Sequence, residues 1–209
     1  DSPLEGRPAR ALIPTLLVAA FVVILNETTL NVALTRIMDD LGITERLAQW
    51  LTTAFMLTMA VVIPATGWLL ERLGTRRAYL AGLGVFSLGT LVCLLSPTIE
   101  VLLAGRVLQA SGTAVMMPLL MTTLMQVVPA DRRGAVMGNV SMVISVAPAV
   151  GPTLSGLLLQ FGSWRLIFAV VLPIALLMLA LGAWKLVDVS EPSGNRLDAW
   201  SLPLSLVGF

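Results

Sequence analysis

Residues 67–77 read Gly67-Trp-Leu-Leu-Glu71-Arg72-Leu-Gly74-Thr-Arg76-Arg77, a short basic turn bracketed by glycines between two long apolar stretches. The turn is too short to hold a domain and too charged to enter lipid. It forces the flanking segments to pack as a helical hairpin with arginines held at one face. Composition agrees: 57% of the 209 residues are hydrophobic, 12% are charged and the mean hydropathy is +0.92. A soluble domain carries roughly 25% charged residues, so this is a membrane protein.

The formal net charge is +1, which gives no case for nucleic acid as a partner. The one cysteine, Cys93, excludes an internal disulfide and a cysteine metal cluster and reads as a small core residue. Histidine is absent, so a proton-linked step near neutral pH must use carboxylates. The chain begins at Asp1 rather than Met, and Trp200–Phe209 opens an apolar run shorter than the ~20 residues a spanning helix needs. The expectation is a piece of a longer protein.

Apolar runs predict six spanning helices, at Ala11–Leu34, Trp50–Leu70, Ala78–Leu95, Val101–Val128, Gly134–Gln160 and Leu166–Val187. Arg7, Arg10, Arg72, Arg76, Arg77, Arg132, Arg133, Lys185 and Arg196 then fall on one side. Arg36, Arg46 and Arg165 fall on the other, with Asp39, Asp40, Glu45 and Glu100. The positive-inside rule makes the first side cytoplasmic, the N-terminus included, in a cytoplasmic (inner) cell membrane. Trp50, Trp68, Trp164, Trp184 and Trp200 sit near span ends, as an aromatic belt would. The organisation expected is a cytoplasmic tail over 1–10, a six-helix bundle over 11–187, and over 188–209 a connector with the start of a truncated seventh span.

Four segments carry a family resemblance. In the turn, Gly67, Leu69, Arg72, Gly74 and Arg76 match the loop pattern of the major facilitator superfamily of transporters, with Glu71 in place of the usual aspartate. In the fourth span, Arg106-Val-Leu-Gln109-Ala110-Ser-Gly112 resembles the arginine-x-x-glutamine-glycine-x-glycine pattern of proton-coupled members. In the fifth, Gly138 and Ala147-x-x-x-Gly151-Pro152-x-x-Ser155-Gly156 resemble the antiporter motif of drug exporters. In the first, Leu25-Asn26-Glu27-Thr28-Thr29-Leu30-Asn31 resembles the first-helix motif of the fourteen-span drug:proton antiporter branch, with Asn26 in the usual aspartate position. The resemblance implies an all-α membrane fold: the N-terminal six-helix bundle of a multidrug efflux transporter with twelve or fourteen spans. Its partners would be the C-terminal half of the same transporter, protons, small lipophilic or cationic substrates and the lipid bilayer. It would work without a cofactor, driven by the proton gradient.

The same residues can be read as physics. Glu27 is the acidic residue placed inside a span, which costs roughly 2.5–3.5 kcal/mol on insertion scales. Such a carboxyl can hold a proton or, once ionised, a cation, and that competition is the minimum needed for antiport. The alternative is a structural glutamate hydrogen-bonded to neighbours such as Asn31. Arg106 is the second buried charge, expected to approach Glu27 directly or through water. Arg106, Gln109 and Thr113 share a helix face at i, i+3, i+7, which predicts a polar stripe turned to a cavity. The alternative is an Arg106 that snorkels outward or braces helices.

Gly151-Pro152, with Pro148 a turn earlier and small residues at 147, 151 and 155, serves either as a bending point or as close helix packing. Met117, Met121 and Met125 line a drug pocket, to which Asn26 and Thr113 would also belong, or form a plain core or lipid-facing stripe. Glu71, Arg72, Arg76 and Arg77 act as a gate of ion pairs, as topology determinants, or as both. No nucleophile–base pair, phosphate loop or metal cluster points to an enzyme. The leading expectation is proton-coupled drug efflux by alternating access, hence drug resistance. The alternatives are export of one metabolite, lipid or siderophore, and a non-transporting scaffold or sensor.

Overall fold

The computed structural model describes residues 7–186. They form helices α1 (Arg7–Leu41), α2 (Glu45–Leu95), α3 (Ile99–Val127), α4 (Arg133–Phe161) and α5 (Arg165–Lys185). All five are long and apolar enough to cross a membrane.

The 51 residues of α2 are too many for one crossing. Straight, they would run about 75 Å at 1.5 Å per residue, against a hydrocarbon core about 30 Å thick. The helix is broken at buried Gly74, whose φ of 74° and ψ of 169° are not helical and suit only glycine. The two arms, 45–73 and 75–95, fold back on each other. Phe55 on the first arm and Thr90 on the second both reach the α3 turn holding Arg106 and Gln109. In an unbroken helix those two residues would be about 50 Å apart. The hairpin dictated by the 67–77 turn is therefore present, and the five helices make six crossings.

Element ends differ from the sequence expectation where helices run past the lipid. Helix α1 takes in residues 7–10 of the expected tail and continues through Arg36, Asp39 and Asp40. Those three charges can sit on a helix because they are exposed, and an α-helix satisfies its own backbone wherever it stands. It stops at Gly42, where φ is 62° and Ile43 N–H donates to the Met38 carbonyl at 3.2 Å, a glycine C-terminal cap. Glu45 and Glu100 lie in the first turns of α2 and α3, where a helix N-terminus favours negative charge. Arg133 closes the other end of α3, donating to the carbonyls of Val128 at 3.0 Å and Met125 at 2.7 Å. The connector and seventh span expected over 188–209 lie outside the described residues.

The core is split in two. One apolar cluster, with Leu16, Tyr79, Phe86, Leu119 and Leu120, fills the half of the bundle nearest the basic turns. A second, with Leu30, Ile37, Leu51, Leu102 and Phe168, fills the far half. Between them lies a layer of buried polar side chains: Asn26, Thr29, Ser87, Thr90, Arg106, Gln109, Thr113 and Ser155.

Two features of the packing depart from expectation. Trp50 and Trp184 are exposed, as belt residues should be, but Trp164 is buried. Its indole Nε1 donates to Asp40 at 2.9 Å, and Arg165 beside it bonds both Asp40, at 2.7 Å, and the Ser96 carbonyl, at 2.9 Å. These contacts staple the far-end connections together. The second feature is a glycine seam between the second arm of α2 and α3. A Cβ on Gly89 would lie 2.5 Å from Gln109 N and 2.7 Å from Gly105 O. One on Gly105 would lie 2.6 Å from Cys93 Sγ, and Gly112 likewise abuts the backbone of Gly82 and Phe86. Lipid tails are as apolar as leucine, so close backbone approach of this kind is what holds membrane helices together.

Candidate functional site

The polar layer holds the candidate site residues. Helix α1 supplies Glu27, which is half-buried. Helix α3 supplies Arg106, only 1% exposed. Among the described residues, the ion pairs within 4 Å are Arg132–Asp131 and Arg165–Asp40. Glu27 and Arg106 therefore make no salt bridge, although each lies in the other's electrostatic field. The direct approach allowed by the sequence is not made.

Arg106 is held from other directions. Its Nη1 donates to Gln109 Oε1 at 2.9 Å, and Gln109 Nε2 donates to Thr90 Oγ1 at 2.9 Å on the second arm of α2. Thr90 in turn donates to the Phe86 carbonyl at 2.8 Å. The guanidinium carbon stands 4.1 Å from the centroid of the Phe55 ring. Its Nε has no hydrogen-bond partner, nor does either amide atom of the fully buried Asn26.

The stripe Arg106, Gln109 and Thr113 does share a helix face, but that face is sealed inside the bundle rather than turned to a cavity. The reason is the glycine seam. Gly89 and Gly105 bring the second arm of α2 into backbone contact beside Gln109. Asn26 and Thr113, expected along a drug pocket, are buried as well. Met117 and Met121 are half-buried against the cluster near the basic turns. On α1, Asn31, one turn beyond Glu27, is exposed and accepts a hydrogen bond from Thr52 at 3.3 Å.

Helix α4 grips the turn that carries Glu27. Ala147, Gly151 and Ser155 are buried at spacing four. A Cβ on Gly151 would collide with the Thr28 side chain, and Ser155 Oγ donates to the Thr29 carbonyl at 2.8 Å. Pro152 is exposed and Gly156 faces open space, so these motif residues make no such contact within the bundle.

In the basic turn, Gly74 makes the reversal and Gly67 faces open space. Arg72 stacks 5.2 Å over Trp68. Arg76 donates to the Ala183 carbonyl at 2.7 Å and so ties the turn to the end of α5. Glu71 and Arg77 are exposed. Glu71 forms no ion pair with a described residue.

Sequence reasoning missed Phe55, Thr90, Thr52 and the seam. The seam had a legible signal: glycines seven apart on two successive helices, at 82 and 89 and at 105 and 112. Phe55 had none, because a phenylalanine in an apolar run reads as core.

A profile of the Major Facilitator Superfamily matches residues 16–209. The MFS-type transporter YcnB of Bacillus subtilis is 41% identical over 100% of this chain and 45% of its own length. The lincomycin resistance protein LmrB of Bacillus subtilis is 40% identical over 93% of this chain and 41% of its own length. The chain thus spans less than half the length of these curated relatives. Two solved structures share the fold. The peptide transporter POT in complex with sulfate superposes with a TM-score of 0.76, at 17% identity, over 99% of this chain and 45% of that one. A bacterial homologue of the human lysosomal transporter Spinster, inward-facing and unoccupied, gives 0.77, at 20% identity, over 98% of this chain and 48% of that one.

Proposed function

Because the chain belongs to the Major Facilitator Superfamily, we propose that it is one bundle of a proton-coupled exporter of lipophilic, often cationic compounds. Glu27 releases a proton toward the basic, cytoplasmic end of the bundle, takes up the compound, and exchanges it for a proton at the far side. A second bundle, from the rest of the transporter, closes the cavity, and the two rock about the site as repeat-built transporters do. The proton gradient supplies the energy, with no cofactor. The name of the lincomycin resistance relative supports a drug as cargo.

One observation carries this reading. The half-buried Glu27 carboxyl lies in the field of Arg106 without being locked to it, one turn from the exposed Asn31. A carboxylate in a tight salt bridge holds its charge, and its partner, to lower pH. One held at a distance from a fixed cation can be neutralised by a proton or by a cationic ligand. In this scheme Gly151 and Ser155 position the Glu27 turn, and Glu71, Arg72, Arg76 and Arg77 form the cytoplasmic gate against the second bundle.

The test uses the full-length protein in proteoliposomes with an imposed pH gradient, following drug-triggered proton movement for wild type and Glu27→Gln. The expected result is movement in wild type and none in the variant. Equal movement in both would remove Glu27 from the coupling.

A further inference from the structure

Arg106 is a buried cation with little to hold it. Among the described residues it makes no ion pair within 4 Å. It gives one hydrogen bond to a neutral acceptor, Gln109 Oε1, and leaves Nε without a partner. Its guanidinium also stands over the face of Phe55, which is itself 1% exposed. The negative face of an aromatic ring attracts a guanidinium, and the attraction is strongest where both are desolvated. An aliphatic side chain at residue 55 would fill the space and offer the charge nothing.

We infer that Phe55 is a positioning residue: with Gln109 it holds the Arg106 guanidinium off Glu27, so that the carboxyl remains free to exchange its proton. The inference rests on the coupling role proposed for Glu27. Three restraints act on Arg106. Gln109, tied to Thr90, pulls it toward the second arm of α2, and Phe55 pulls it toward the first arm. Glu27 attracts it toward α1 when ionised. With Phe55 lost, the ring face over the guanidinium is gone, and the guanidinium closes on Glu27. An opposite charge at contact distance then keeps the carboxyl ionised to lower pH.

The charged and titratable groups near this pair are few. Glu27 faces Arg106, and Arg106 faces Glu27 and the Cys93 thiol. Helices α4 and α5 carry charged residues only at their ends, Arg133, Arg165 and Lys185.

The experiment is a pH titration of the Glu27 carboxyl band by infrared spectroscopy on the purified full-length protein, the band being assigned by its loss in Glu27→Gln. In Phe55→Leu the midpoint is expected to move about one unit or more toward acid, the range produced by a close opposite charge. Phe55→Tyr, which keeps the ring face, titrates as wild type. Phe55→Met, non-aromatic and flexible, serves if the leucine variant does not fold and should shift like it. An unmoved midpoint in the folded non-aromatic variant would overturn the inference, as would an equal shift in Phe55→Tyr. Loss of packing alone lowers thermal stability without moving the band. The two readings fail separately. A midpoint that moves as expected, alongside proton movement that survives Glu27→Gln, would sink the coupling role and leave Phe55 holding Arg106.

Discussion

Replacing Gly89 by alanine puts a methyl group into backbone contact with α3. The new Cβ would stand 2.5 Å from Gln109 N, 2.7 Å from Gly105 O and 3.0 Å from Gln109 Cγ, whereas ordinary contact begins at 3.4 Å. Two of those three atoms are backbone and cannot rotate away, so the second arm of α2 must move out by about 1 Å. Overpacking of this kind costs typically about 1–3 kcal/mol. The displacement also stretches the Gln109–Thr90 bond, now 2.9 Å, which holds the polar layer together. Gly84 on the same helix is the control, because a Cβ there meets nothing within 4 Å. Gly84→Ala should be neutral or stabilise by up to about 1 kcal/mol through helix propensity. The assay is thermal unfolding of the purified full-length protein in detergent, with the two variants run beside wild type. Gly89→Ala is expected to melt several degrees below Gly84→Ala. Equal melting temperatures would refute the claim that this seam is closed by backbone contact.

Other outcomes follow from the same contacts. Gly74→Ala forces a side chain into a backbone conformation open essentially to glycine, at a cost of about 1–3 kcal/mol, readable as a lower melting temperature. Gly151→Val should impair transport more than Gly156→Val in a drug-efflux assay at matched expression, since Thr28 occupies the space beside Gly151 and nothing occupies that beside Gly156. Tyr79→Phe removes the 2.9 Å bond to the Met178 carbonyl and should lower stability by about 1 kcal/mol in the same melt. Arg165→Lys cannot span Asp40 and the Ser96 carbonyl together, so hydrogen exchange in the 96–98 connection should speed up relative to wild type.

Chain length, hydropathy and charge were enough to place the membrane crossings, the hairpin at 67–77 and the residues worth suspecting. A crossing is a one-dimensional property: about 20 apolar residues between polar ends, whatever lies beside them. Glu27 and Arg106 stand out in the same way, as charges inside such runs. Which way those residues turn was a different matter. Periodicity placed Arg106, Gln109 and Thr113 on one face of α3 but gave no means of telling a cavity-facing stripe from a sealed one. That was decided by Gly89 and Gly105, on two different helices, which let backbones meet beside Gln109 and closed the face. Arg106 is held by Phe55 and by Gln109, itself tied to Thr90, and Phe55 and Thr90 lie at opposite ends of a broken helix. Trp164, one of the tryptophans expected at an interface, is buried, and its indole N–H donates a hydrogen bond to Asp40, far away in the chain. Sequence alone determined what each segment could be; tertiary structure decided what each side chain meets, because helix contacts are made between residues that no local pattern relates.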